Sequence, residues 1–255
     1  MLKQMLKQMP NIIKTFIFTL LVSSILIKSQ TINNIDNIDN DELQIITLQP
    51  NNFIAISDEI KESNFEKWSI ELSKIDSDTN KIYVYIDSIG GSVELGNKLI
   101  NQFNYYNKIG KSIECIAKNA FSMAFQIFQS CDKRYILSSS VTMQHQVSLQ
   151  NIKGPLINTM NYLKMIQSMS DDLNKKSAKK INIPYDEYKK LIQNDWWLYG
   201  QDIISNGVAD SMVIIGCDPK LFNIFINQTI GKIEMLDDGS ITLNDINVLK
   251  HSCPL

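Results

Sequence analysis

Arginine is almost missing from this 255-residue chain, where Arg134 is the only one. A planar, bidentate grip on phosphate or carboxylate must come from that residue or be absent, because lysine offers only a point charge. The formal net charge is −2, which removes the electrostatic case for a nucleic-acid partner. Phosphate loops of the GxGxxG or GxxxxGK[ST] type are lacking as well. Four cysteines (Cys115, Cys131, Cys217 and Cys253) form no CxxC and stand at no zinc-like spacing to histidine. No metal and no cofactor is therefore expected. Histidine is scarce too, with only His145 and His251. The uncharged run Thr15–Ile27 is thirteen residues long, short of the roughly 18 that a spanning helix needs.

What is present suits one large globular domain with extensions, at 44% hydrophobic and 20% charged residues. Lys3, Lys7 and Lys14 precede the apolar run in the manner of a secretory leader. Residues 1–28 thus read as a signal peptide or a membrane anchor, which points to a secretory lumen or to membrane association. Residues 29–43 are a polar linker, too poor in apolar side chains to fold alone. Residues 44–215 carry the main domain and 216–255 a C-terminal extension. Cys115 and Cys131 lie in apolar stretches and read as small core residues. Cys217 and Cys253 flank the tail and could close it as a disulfide if the chain is exported. The sequon Asn227-Gln228-Thr229 matters only in that same setting.

Strands are expected near 44–48 and 53–56. A helix follows, capped by Ser63 with Glu66, whose face is Phe65, Trp68, Leu72 and Ile75. A strand over 81–86 breaks at Asp87-Ser88, and Leu95, Leu99, Phe103 and Tyr106 mark the next helix. Further on come a strand at 113–117, a helix from Ser122, and short strands at 135–137 and 141–143. Helices are expected over 155–180, 185–192 and 201–206, the last ending at Gly207. Residues 208–215 read as a strand, and Asp237-Asp238-Gly239 as a hairpin turn. Met160, Met165 and Met169 on the long helix read as core or interface, and Lys175, Lys176, Lys179 and Lys180 as its solvated face. Alternation of this kind gives right-handed parallel βαβ units. Candidate groups then fall at strand-to-helix junctions, where helix N-termini present N–H donors.

One junction holds Ala120-Phe121-Ser122-Met123-Ala124. A hydroxyl is a useful nucleophile only beside a base, with N–H donors for the oxyanion it creates. Ser122 has small, apolar neighbours and His145 lies 23 residues on; read blandly, Ser122 is an N-cap and His145 a surface or core residue. Gly90-Gly91 is a tight turn or a donor site, with Gly91 and Met123 as the oxyanion N–H candidates. Asp195, before Trp196-Trp197, is the candidate carboxylate to orient the imidazole in a dry setting. Asp202 and Asp210 are the alternatives.

Taken in order, five blocks resemble the proteolytic subunit of the Clp protease, the ClpP family of serine peptidases. They are 82–93, ending Ser88-Ile89-Gly90-Gly91-Ser92-Val93; Ala120-Phe121-Ser122-Met123; Val141 to Gln146; Asp195-Trp196-Trp197-Leu198; and Asn206-Gly207-Val208-Ala209-Asp210. The resemblance implies an α/β fold, a crotonase-like ClpP spiral of βαβ units with a projecting helical handle over about 155–180. It also implies Ser122 as nucleophile, His145 as general base and then acid, and Asp195 as orienting carboxylate. Gly91 and Met123 would supply the oxyanion hole. The expected substrates are polypeptides, hydrolysed through an acyl-enzyme without a cofactor, and the expected assembly is a homo-oligomeric ring.

The chain departs from the family pattern in several places. Ile89 replaces the proline before the glycine pair, Phe121 a small residue, and Ala124 a glycine. Val147-Ser148-Leu149 stands where proline and glycines are usual. Gln193 and Asn194 replace an acid and an arginine used between rings. An apolar segment takes the place of the axial loop, so an unfoldase ATPase partner is unsupported. A catalytically impaired assembly subunit or scaffold of the same fold is the alternative. Acyl-CoA hydratases of the related fold normally use glutamates, which are missing at these junctions, and Lys118 is a poor partner for a serine/lysine dyad.

Overall fold

In the computed structural model, the described residues are 43–75, 77–148, 154–221 and 253–254, with the backbone strands at 233–235 and 241–243. The leader and linker readings, the turn at Asp237-Asp238-Gly239, His251 and the sequon lie outside them. Chain contacts divide at Leu43/Gln44, and the unit beginning at Gln44 holds the sheet and its helices.

Its centre is a mixed sheet. Strands β2 (Phe53–Ile60), β3 (Lys81–Gly91), β4 (Ser112–Phe121) and β5 (Lys133–Gln144) run parallel in chain order. The crossovers are helices α1 (Glu62–Ser73), α2 (Val93–Lys108) and α3 (Met123–Gln129). After the long α4 (Leu156–Ile181) and α5 (Tyr185–Leu191), strand β6 (Trp196–Tyr199) adds antiparallel to β5. Helix α6 (Gln201–Ser205) leads to β7 (Ser211–Met212), which pairs with β5. β8 (Ile214–Cys217) pairs in parallel with β1 (Ile45–Leu48) as a separate ribbon, and β9 (Ile233–Met235) pairs antiparallel with β10 (Ile241–Leu243). This is the mixed α/β architecture of a ClpP-like domain.

The helices form because apolar side chains recur on one face. In α2 that face is Leu95, Leu99, Ile100 and Phe103, all buried. Ser92 caps it by accepting from the Leu95 N–H at 3.3 Å, and Glu94 and Lys108 sit at the ends their charges favour. One core lies between the helices and the sheet, around Trp68, Phe103, Phe125 and Phe128. Each such side chain contributes about 1.5–3 kcal/mol by leaving water. A second core on the opposite face joins Tyr85, Ile116 and Tyr135 to Ile46, Leu48 and Ile215.

The sequence underestimated the strands. β3 does not break at Asp87-Ser88 but runs to Gly91, β4 runs to Phe121, and the two short strands at 135–143 are one, β5. The physical reason is a row of register shifts, between Ser57 and Glu59, at Ile86/Asp87 and at Ala117/Asn119. Each bulge interrupts the two-residue alternation without ending the ladder. Ser63 is not a cap, because α1 begins at Glu62 after Lys61 with no side-chain cap bond. Residues 208–215 are two short strands rather than one. Cys115 and Cys131 are buried as expected but bonded to each other, and Cys217 bonds to Cys253. Met160 and Met165 are exposed.

Candidate active site

β4 delivers Ser122 to the sheet edge and α3 starts at the next residue. The turn between them is tight: Ser122 holds φ 54 and ψ −117. Gly200 adopts almost the same angles, φ 52 and ψ −123, at the start of α6, where the residue type suits the conformation. A residue bearing a Cβ pays on the order of 1–3 kcal/mol in such a region, and strain of this kind gathers at functional sites. Its N–H is fixed to the Met143 carbonyl at 2.8 Å. The side chain makes no cap bond with the helix. It meets His145 instead, with 2.8 Å between Oγ and Nε2. The N-cap reading of Ser122 is thereby displaced, because the turn aims the hydroxyl away from its own helix.

His145 follows the end of β5, and β5 pairs with both β4 and β6. The pairing of Gln144 with Trp196 is the last step of the β5/β6 ladder. His145 follows Gln144 and Asp195 precedes Trp196, so both lie just past the end of that ladder. Asp195 is nevertheless exposed and makes no hydrogen bond to His145. The expected dry setting is not found. Trp196 turns inward against Phe125 and Tyr188, whereas Trp197 is 53% exposed and meets Phe121 edge-on at 5.1 Å. Alternation along the strand sends the two tryptophans to opposite faces, so they cannot enclose the carboxylate together. Asp210 is committed elsewhere, to Arg134 at 2.6 Å, and Asp202 is exposed on α6. Lys118 pairs with Asp87 at 3.2 Å.

Gly90 packs against the Ser122 turn. A Cβ at Gly90, whose φ is +90, would lie 2.5 Å from the Phe121 carbonyl oxygen, 2.9 Å from Ser122 Cβ and 3.0 Å from Met123 N. The Gly90 N–H is used inward, donating to Ser88 Oγ at 3.2 Å, and Ser88 in turn donates to the Asp58 carbonyl. Gly91 borders the cavity beside Ser122, His145 and Met123. Met123 is the first residue of α3, so its N–H has no acceptor within the helix. Gln126, Gln144, Ser170 and Leu173 also border the cavity. Sequence reasoning passed over these four: two come from the distant helix α4, and glutamine in an apolar stretch carries no catalytic signature. Among the described residues, no cluster of His, Cys, Asp and Glu could hold a metal ion.

The Clp protease family matches residues 39–215, a span that takes in the whole central sheet, α1 to α6 and every group just described. The chain belongs to the Clp protease family.

Proposed function

We propose that this chain is a serine endopeptidase. Ser122 Oγ attacks a peptide carbonyl as its proton passes to His145 Nε2, and the N–H groups of Gly91 and Met123 receive the developing oxyanion. His145 then protonates the departing amine, and water hydrolyses the Ser122 ester by the same route in reverse. The observation that carries this reading is the 2.8 Å contact between Ser122 and His145 at a serine in a glycine-like backbone conformation. Asp195 is the orienting carboxylate. Like His145, it lies just past the end of the β5/β6 ladder, and catalytic hydrogen bonds often tighten only when substrate is bound.

Polypeptides are the substrates and the working form is a homo-oligomeric ring. The exposed apolar residues Leu156, Ile157, Met160, Tyr162 and Met165 on α4 support this, since a patch of that kind calls for cover by protein. Two disulfides among the described residues favour an oxidising lumen or membrane surface. The alternative, a catalytically impaired assembly subunit, is favoured by one observation, the exposed Asp195 without a bond to His145.

The test is labelling by a fluorophosphonate together with peptide hydrolysis. Labelling at Ser122 is expected, with both signals lost in Ser122→Ala. That substitution should cost about 10⁴-fold or more in kcat, and Asp195→Asn should reduce kcat by a smaller factor. An unlabelled, inactive wild-type chain would favour the scaffold, and activity surviving Ser122→Ala would reject the nucleophile.

A further inference from the structure

The two N–H donors assigned to the oxyanion sit on different elements. Gly91 ends β3 and Met123 opens α3, so their spacing depends on what holds those elements together. Helix α2 starts two residues after Gly91. Its cap residue Ser92 donates its N–H to the Ile60 carbonyl at 2.9 Å, and its own carbonyl accepts from the Gly96 N–H at 3.0 Å. Gly96 is buried on the first turn of α2. A Cβ there would lie 2.4 Å from Met123 Cγ, 2.5 Å from Cε and 3.0 Å from Sδ. The Met123 side chain, itself 3% exposed, therefore lies flat on the α2 backbone at the only glycine of that helix.

Glycine weakens a helix interior relative to alanine, and Gly96 has no positive φ that would call for it. What it supplies is room. Overlap with Cγ is not relieved by turning the outer bonds of the thioether, because χ1 alone places that atom. We infer that Gly96 is a positioning residue, which seats Met123 against α2 and so fixes the distance between the Gly91 and Met123 N–H groups. This inference rests on the peptidase reading above and adds to it a residue remote from the nucleophile. A methyl at 96 would push Met123 or α2 back by about 1 Å, measured against an ordinary contact of 3.4 Å. Near the reacting atoms a displacement of that size costs about 100-fold in rate. The oxyanion develops only in the transition state, so the loss falls on kcat and leaves KM alone.

The experiment measures peptide hydrolysis by the full chain. Rates are taken per active site, counted by exhaustive fluorophosphonate labelling, so unfolded protein does not enter them. Gly96→Ala should lower kcat by about 10- to 100-fold with KM within about twofold of the wild type. Met123→Ala keeps the backbone N–H but removes the overlap. In that background, adding Gly96→Ala should leave kcat within about twofold or raise it, since the new methyl enters space that the thioether vacated. A merely structural demand on α2 would lower kcat equally in both backgrounds, and that result would overturn the inference. So would a Gly96→Ala enzyme whose kcat stays within about twofold of the wild type. Should Gly96→Ala yield no active sites, the Met123→Ala pair decides: a further fall on adding Gly96→Ala overturns the inference, and an unchanged or higher kcat supports it. A wild-type chain neither labelled nor active refutes the peptidase reading and this inference with it, whereas an active wild type indifferent to Gly96→Ala refutes the positioning alone.

Discussion

Replacing Gly90 by alanine isolates the contact on which the site geometry depends. The new methyl would meet the Phe121 carbonyl oxygen at 2.5 Å, against about 3.4 Å for an ordinary contact. Since that oxygen belongs to backbone, β3 or the Ser122 turn must retreat by about 0.9 Å. A displacement near 1 Å at the reacting atoms costs about 100-fold in rate. Alanine at φ +90 adds a conformational cost of about 1–2 kcal/mol, and that part can be measured separately. Gly110, just after α2, has φ +88 and nothing within 4 Å of a Cβ. Gly110→Ala should therefore lose the same 1–2 kcal/mol, a fall of about 2–8 °C in Tm, with kcat unchanged. Gly90→Ala should lose at least as much stability and, in addition, about 100-fold in kcat, measured by thermal melting and peptide hydrolysis side by side. If the two variants melt alike and Gly90→Ala keeps kcat within twofold, the close approach to the Ser122 turn has no part in holding Ser122.

Two further outcomes concern stability. Burial pushes the Asp210 carboxyl up, but hydrogen bonds from the Arg134 side chain and N–H, with its charge, outweigh that and hold it below the ordinary 3.8. The pair therefore stabilises the fold above pH 3.8 and that contribution fades as pH falls through the lower folded-state value. Asp210→Asn should cost about 1–3 kcal/mol at neutral pH and flatten the loss of stability in acid, and an unchanged acid slope in urea titrations would contradict it. The Cys115–Cys131 bond joins residues 16 apart on either side of Ser122. Removing it as Cys115→Ala with Cys131→Ala should lower unfolding free energy by about 3 kcal/mol. Equal urea midpoints for the intact and double-substituted chains would show that the bond contributes nothing to the fold.

Much of the site was written into local sequence. Ser122 was conspicuous because a hydroxyl among apolar neighbours stood at a strand-to-helix junction, and His145 because histidine is so scarce. The glycine pair stood out because a Cβ-free residue at such a junction signals close approach. The order of strands and helices followed from periodicity, because burial on one face imposes it on the chain directly. Three things were decided only by packing in space. Bulges carried β3, β4 and β5 past their expected ends, since a ladder can tolerate an extra residue that alternation along one strand cannot reveal. Asp195 faced solvent, because its neighbouring tryptophans point to opposite sides of β6. The buried cluster of Gln126, Gln144, Asn174 and Ser177 joined residues from α3, β5 and α4 that lie up to 51 positions apart. Hydrogen-bond capacity left over in such a cluster is a property of the assembled group, and no one segment of the chain contains it.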